Sequence, residues 1–223
     1  MRKLLVVLIV LAALAVGGDR LVARLVADEA QQRLVAEGFR DPTVRMHGFP
    51  FLTQLAARTF EQVTVTGAGL QAGKGRATGV RAELTDVRAP QSGPVQIGSL
   101  VASGTVPFDV MVEAVGVPSL ELSSGQGGQV EVARTVEVAG RSFDVVAQAR
   151  VEARGTQLRI VPTEVAVTGS SLDGRLSALL SERVALTYDI PDLPDGVQIE
   201  RITAAQDGFL VRVKGRAVSV EAG

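Results

Sequence analysis

At 223 residues, 46% hydrophobic and a net charge of −1, the chain can bury a sizeable core, is not disordered, and has no overall field to attract nucleic acid. It has no cysteine, no tryptophan, one tyrosine and one histidine. That excludes disulfides, thiol nucleophiles and Cys-ligated metals, and it argues against aromatic base-stacking platforms.

The cations are twenty Arg against three Lys (Lys3, Lys74, Lys214). Arg grips phosphate by a planar fork, but an Ala/Val/Gly/Arg-rich chain is also what GC-rich coding produces. The skew therefore carries little weight.

Arg2 and Lys3 precede an uncharged apolar run over residues 4–16. This is the pattern of a signal peptide, and residues 13–15 offer the small side chains a signal peptidase reads. The run is shorter than the roughly 20 residues of a spanning helix. Residues 1–18 are expected to be a cleaved signal peptide or an uncleaved anchor. Residues 19–223 are expected to be a single elongated domain outside the cytoplasm, secreted or held at the outer face of the inner membrane.

Asp19 is a good N-cap and Gly38 a good C-terminal stop. Leu21, Val22, Leu25, Val26, Ala30 and Leu34 fall between them at helical spacing, which predicts about five helical turns with one apolar stripe. Residues 43–47 read as a short strand. Pro50 suits the first turn of a short helix over 50–58.

The period then changes to two. Val63 and Val65, then Val80, Ala82 and Leu84, alternate with polar residues. Gly67, Gly69, Gly73, Gly75 and Gly79 are expected to form the bends between them. A further strand is predicted over 95–106. Phe108, Met111, Val112 and Val115 predict a second short helix over 107–115, stopped by Gly116 and Pro118. Residues 123–128 read as a loop.

Val130, Val132, Val136 and Val138, then Phe143 to Ala153, alternate on either side of Gly140-Arg141. A third strand follows over 157–167. Half-wet alternation of this kind belongs to antiparallel sheet. Ser171 is placed to cap a third helix striped by Leu172, Leu176, Leu179, Leu180 and Val184. A closing hairpin runs over 197–205 and 209–218, with Asp207-Gly208 at the position that demands positive φ. Strands interleaved with segregated helices make an α+β domain.

The segment Phe49-Pro50-Phe51-Leu52-Thr53-Gln54, after an apolar leader and a long helix, resembles the LmeA-family phospholipid-binding proteins of the actinobacterial cell envelope. Similar elements are Pro107-Phe108, Val161-Pro162-Thr163, Leu193-Pro194-Asp195-Gly196-Val197, Asp207-Gly208-Phe209-Leu210-Val211 and Gly215. The likeness covers about residues 20–218. It implies a tubular-lipid-binding-like fold, in which a curved, mostly antiparallel sheet wraps the long N-terminal helix, further short-to-medium helices flank it, and an apolar groove is left open. It also implies phospholipid as partner, phosphatidylinositides among the candidates, and a role at a membrane surface in envelope glycolipid assembly.

The residues expected to line such a groove are Phe49, Phe51, Leu52, Leu55, Phe60, Phe108, Met111 and Val115. Moving one CH₂ out of water is worth about 0.8 kcal/mol, so a sixteen-carbon tail needs on the order of 12 kcal/mol of apolar contact. Val-rich strand faces and helix stripes supply that material. Catalysis is not expected. His47 is the one histidine, and no Gly-x-Ser-x-Gly elbow supplies a nucleophile for it. No cofactor or metal is expected. Asp189, Asp192 and Asp195 fit a proline turn better than a Ca²⁺ loop. The competing reading is a scaffolding envelope protein that recruits a partner by strand addition at a sheet edge.

Overall fold

The computed structural model describes residues 2–72, 75–138, 140–167, 174–189 and 193–220. In chain order these form α1 (Arg2–Ala36), β1 (Phe39–Arg40), β2 (Thr43–His47), α2 (Phe51–Ala57), β3 (Thr59–Ala72), β4 (Gly75–Arg88) and β5 (Val95–Pro107). Then come α3 (Phe108–Val115), β6 (Glu121–Ser124), β7 (Val130–Val138), β8 (Arg141–Arg154) and β9 (Gln157–Val167). The chain ends with α4 (Gly174–Val184), β10 (Leu186–Asp189), β11 (Val197–Ala204) and β12 (Gly208–Val220).

The strands make two antiparallel sheets. The larger has the order β1-β3-β4-β5-β12-β11, with β2 also paired to β3; the smaller is β10-β9-β8-β7-β6. One of the two sheets is strongly curled into a half-barrel. The expected α+β class with a curved sheet and a long N-terminal helix is what the chain adopts.

Two apolar clusters hold it together. One joins the inner face of the smaller sheet (Val130, Val132, Ala147, Ile160) to α4, to Met111 of α3, and to Ile202 and Phe209 of the larger sheet. The other gathers Ala23 of α1, Phe51 of α2, Phe60, Val87, Ile97, Val197 and Val218 at the opposite end of the larger sheet. Each end has an aromatic pair. Phe51 stacks on Phe60 at 6.0 Å, and Phe108 meets Phe209 edge-on at 5.0 Å.

Several sequence expectations are corrected. Asp19 does not cap α1, which runs unbroken from Arg2 through Gly17-Gly18. Strong helix formers on both sides carry the helix through the roughly 1 kcal/mol cost of each glycine. The inward face of α1 centres on Ala23 and Ala27, while Leu21 and Leu25 are 59% and 60% exposed. Small side chains let the helix axis approach β2 closely, which turns the leucines outward. In α4, Leu180 and Val184 are buried but Leu179 is 52% exposed, one position off the stripe. Ser171 and Leu172 lie outside the described residues, and so does Asp192.

Gly67 and Gly69 lie inside β3, paired with Val80 and Thr78, and are not turn residues. Part of the expected loop after Leu122 is strand β6 with a 3-10 turn at Gln126–Gly128. Gly208 lacks the expected positive φ; a Cβ there would collide with the Val106 carbonyl of β5. Its glycine serves close strand approach. Gly38 does take φ +94 at the end of α1, as its position requires.

Candidate functional site

The larger sheet has one polar and one aliphatic face. Residues facing one way form cross-strand rows: Val44–Val65–Ala82–Ala102–Val213–Ile199, and beside it Met46–Val63–Leu84–Leu100–Gly215–Val197. Facing the other way are Thr64, Glu83, Val101 and Lys214, then Thr66, Arg81, Ser103 and Arg212. Alternation along the strands separates a mainly polar face from an aliphatic one.

The aliphatic face is not fully covered. On the central strands β4 and β5, Val80, Ala82, Leu84, Leu100 and Ala102 are all only half-buried. In a two-layer domain these positions would be the most enclosed in the protein. Val63, Leu84, Leu100 and Val213 pack against the Phe51–Phe60 cluster, and Val106 and Val211 against the Phe209 cluster. Val65, Ala82 and Ala102 belong to neither. With Val213 at the edge of the Phe51–Phe60 cluster, they are the floor of a trough between the two clusters, with α1 packed on β1 and β2 as one wall.

Its dimensions follow from the strands. On β5 the nearest members of the two clusters on this face are Leu100 and Val106, about 20 Å apart, and on β12 they are Val213 and Val211, about 7 Å apart, so the trough is long over β5 and narrows toward β12. The four strands β3, β4, β5 and β12 span about 14 Å. A bilayer core of about 30 Å holds two tails end to end, so one tail needs roughly 15 Å. Over β5 the trough is long enough for one tail. The total surface agrees with an open architecture. A compact monomer of 23.3 kDa would expose about 9,700 Å², whereas this chain exposes 14121 Å².

The residues expected to line one groove are divided by the fold. Phe51 and Phe60 are buried at one end of the trough, with Leu55 half-buried beside them. Met111 is buried at the other end, with Phe108 and Val115 half-buried against it. Phe49 and Leu52 point outward, 55% and 47% exposed. The floor residues Val65, Ala82, Ala102 and Val213 were not among those expected. Their signal was present as alternation, but alternation says which face is apolar and not whether anything covers it.

The Phe-rich segment has a clear local logic. Gly48 takes φ +100, and a Cβ there would strike the Gln54 amide. Gln54, itself buried, donates to the His47 carbonyl at 3.3 Å and accepts from the Glu61 N–H at 2.9 Å. That pins the ends of β2 and β3 around the loop. Pro50 cannot cap α2 by a side chain. The buried Asp19 of α1 does so across space, accepting the Leu52 N–H at 2.8 Å. Replacing an N-cap acceptor costs about 1 kcal/mol. Asp19→Ala should lower stability by about that amount in urea unfolding, and Asp19→Asn by less.

His47 lies on the polar face, sharing a 3.1 Å hydrogen bond with the Thr64 hydroxyl. Among the described residues no group of three His, Cys, Asp or Glu side chains could hold a metal. No helix among them is long and apolar enough to cross a membrane. Three shallow depressions lie on the polar face, bordered by residues such as Gln198, Lys214, Arg88 and Arg212.

The trough, its aromatic ends and its lack of polar anchors describe a holder of hydrocarbon. A model of the LmeA-like phospholipid-binding family matches residues 17–214. The chain belongs to this family. The match spans the inward-facing part of α1, the whole trough and most of β12. Membership supports lipid binding, with phospholipid as the ligand class. No curated protein and no solved structure matches the chain.

Proposed function

We propose that this protein holds the acyl tails of a phospholipid on the Val65–Ala82–Ala102–Val213 floor and carries the lipid, without chemical conversion, within the cell envelope. The observation that carries this reading is half-buried aliphatic surface at the centre of a seven-stranded sheet. A monomer that leaves such positions open forgoes about 25 cal/mol for every Å² of apolar area it could have buried. An occupant that covers them recovers it.

The trough's floor offers dispersion and hydrophobic contact but no hydrogen-bonding side chain. It therefore recognises tails and leaves the head group near solvent. The apolar leader over residues 4–16 supports an extracytoplasmic location. His47 is engaged with Thr64 on the face away from the trough, which supports a binding role over a hydrolytic one.

Native mass spectrometry of protein purified from cells tests the reading. The expected spectrum shows a protein–phospholipid complex that exchanges its lipid with added vesicles. A bare protein mass, with no uptake from vesicles, would overturn it. A stoichiometric protein partner with no lipid would favour strand addition at a sheet edge.

A further inference from the structure

The Phe-rich loop spends considerable structure on keeping one aromatic ring in water. Gly48 bends the chain, Gln54 ties the loop's ends and Asp19 holds the Leu52 backbone, yet Phe49 is 55% and Leu52 47% exposed. The Arg20 guanidinium sits over the Phe49 ring at 5.9 Å. Phe51, two residues on, is 1% exposed and already supplies the core anchor. Phe49 adds little to the fold where it stands.

Its surroundings have one chemical character. The exposed positions of α1 from residue 18 to 25 are Gly18, Arg20, Leu21, Arg24 and Leu25, with no carboxylate. The exposed residues of α2 and its flanks are Phe49, Pro50, Leu52, Thr53, Ala56, Ala57 and Arg58, again with none. Asp28 and Glu29 begin the acidic part of α1, farther along. Two carboxylates touch the loop: Asp19, buried and accepting from Leu52, and Glu61 at its root beside Gly48. Exposed aromatic and aliphatic side chains set among cations are the chemistry of an interfacial anchor on anionic lipid.

The helix fixes the height. α1 is continuous from Arg2, so the apolar run ending at Val16 leads without a linker into Arg20. Four residues of helix rise about 6 Å. The headgroup layer on each side of a bilayer is about 5–8 Å thick. A ring resting on Arg20 therefore sits at headgroup depth whenever the apolar run lies in hydrocarbon.

We infer that Phe49 and Leu52, flanked by Arg20, Arg24, Leu21 and Leu25, form a docking knob that inserts into an anionic lipid surface. The inner side of α2 carries Phe51 and Leu55, which close one end of the trough. Docking at the knob brings that end against the membrane. This rests on the lipid-carrier reading for its purpose but stands on separate residues.

The chain has no tryptophan, so Phe49→Trp places a single reporter on the knob of the full chain. Vesicles of equal parts phosphatidylcholine and phosphatidylglycerol should shift its emission to the blue. Lipids brominated near the head group should quench it more than lipids brominated near the tail end. Leu210→Trp, 46% exposed on the polar face, should keep a water-like spectrum. Adding Arg20→Glu and Arg24→Glu to Phe49→Trp should weaken apparent vesicle affinity at least tenfold.

An unchanged Phe49→Trp spectrum with vesicles would overturn docking. If phospholipid still co-purified, the carrier reading would survive that result. A blue shift that appears on concentrating the protein without vesicles would assign the knob to self-association and also overturn it.

Discussion

Ala102→Trp should abolish phospholipid co-purification while leaving the protein folded. Ala102 faces the middle of the trough, directly opposite Ala82 on β4 and Val213 on β12. It is half-buried and packed against neither cluster, so an indole has open space to occupy. The ring would displace about four methylenes of a bound tail. At about 0.8 kcal/mol each that is about 3 kcal/mol, roughly two orders of magnitude in affinity. The thermal midpoint should hold or rise, because the new ring covers apolar floor. Ser103→Trp is the control: one residue on, it faces the polar side. It should retain lipid. The milder Ala102→Leu should shift the bound species toward shorter tails. If Ala102→Trp carried as much lipid as the parent, the trough would not be the binding site.

How far the sequence could be read depended on the kind of signal. Strands were legible because alternation is a local consequence of the pleat, and the alternating runs at Val63–Val65, Val80–Leu84, Val130–Val138 and Phe143–Ala153 lie in β3, β4, β7 and β8. Helix faces were less legible. Large aliphatics at Leu21 and Leu25 suggested an inward stripe, but the close approach of α1 to β2 favours Ala23 and Ala27 there. Two roles were hidden because each joins distant segments. Asp19 looks like a cap for its own helix and serves one thirty-three residues later. Gly208 looks like a turn glycine and is needed where β12 meets Val106 of β5.

The candidate site was hidden for a different reason. Composition supplies apolar material, and alternation assigns it to a face. Whether that face is covered depends on where α1, α2 and the smaller sheet stop, and no local pattern encodes this. Bulky aromatics drew attention to the trough's two ends. Its floor is built from small residues, Ala82 and Ala102, which read as unremarkable strand positions.

Phe51→Ala should be the most destabilising single change in the Phe-rich segment, and Phe49→Ala among the least. The residues are two apart in one motif, yet 1% and 55% exposed. Phe51 stacks on Phe60 and belongs to the cluster that joins α1, α2 and the ends of β3, β4, β5 and β12. Truncation there leaves a cavity at a junction of many elements, and buried Phe→Ala changes cost about 3–5 kcal/mol. That is a large share of a typical domain's 5–15 kcal/mol. Phe49 faces water and contacts the exposed Arg20, so its loss should stay within about 0.5 kcal/mol, as for ordinary surface positions. Urea unfolding followed by circular dichroism measures both, and equal m-values would show that the two variants unfold from comparable native states. Comparable losses for the two would mean that the ring at position 49 packs inward in solution. The division of labour within the motif, one ring for the core and one for the lipid surface, would then be wrong.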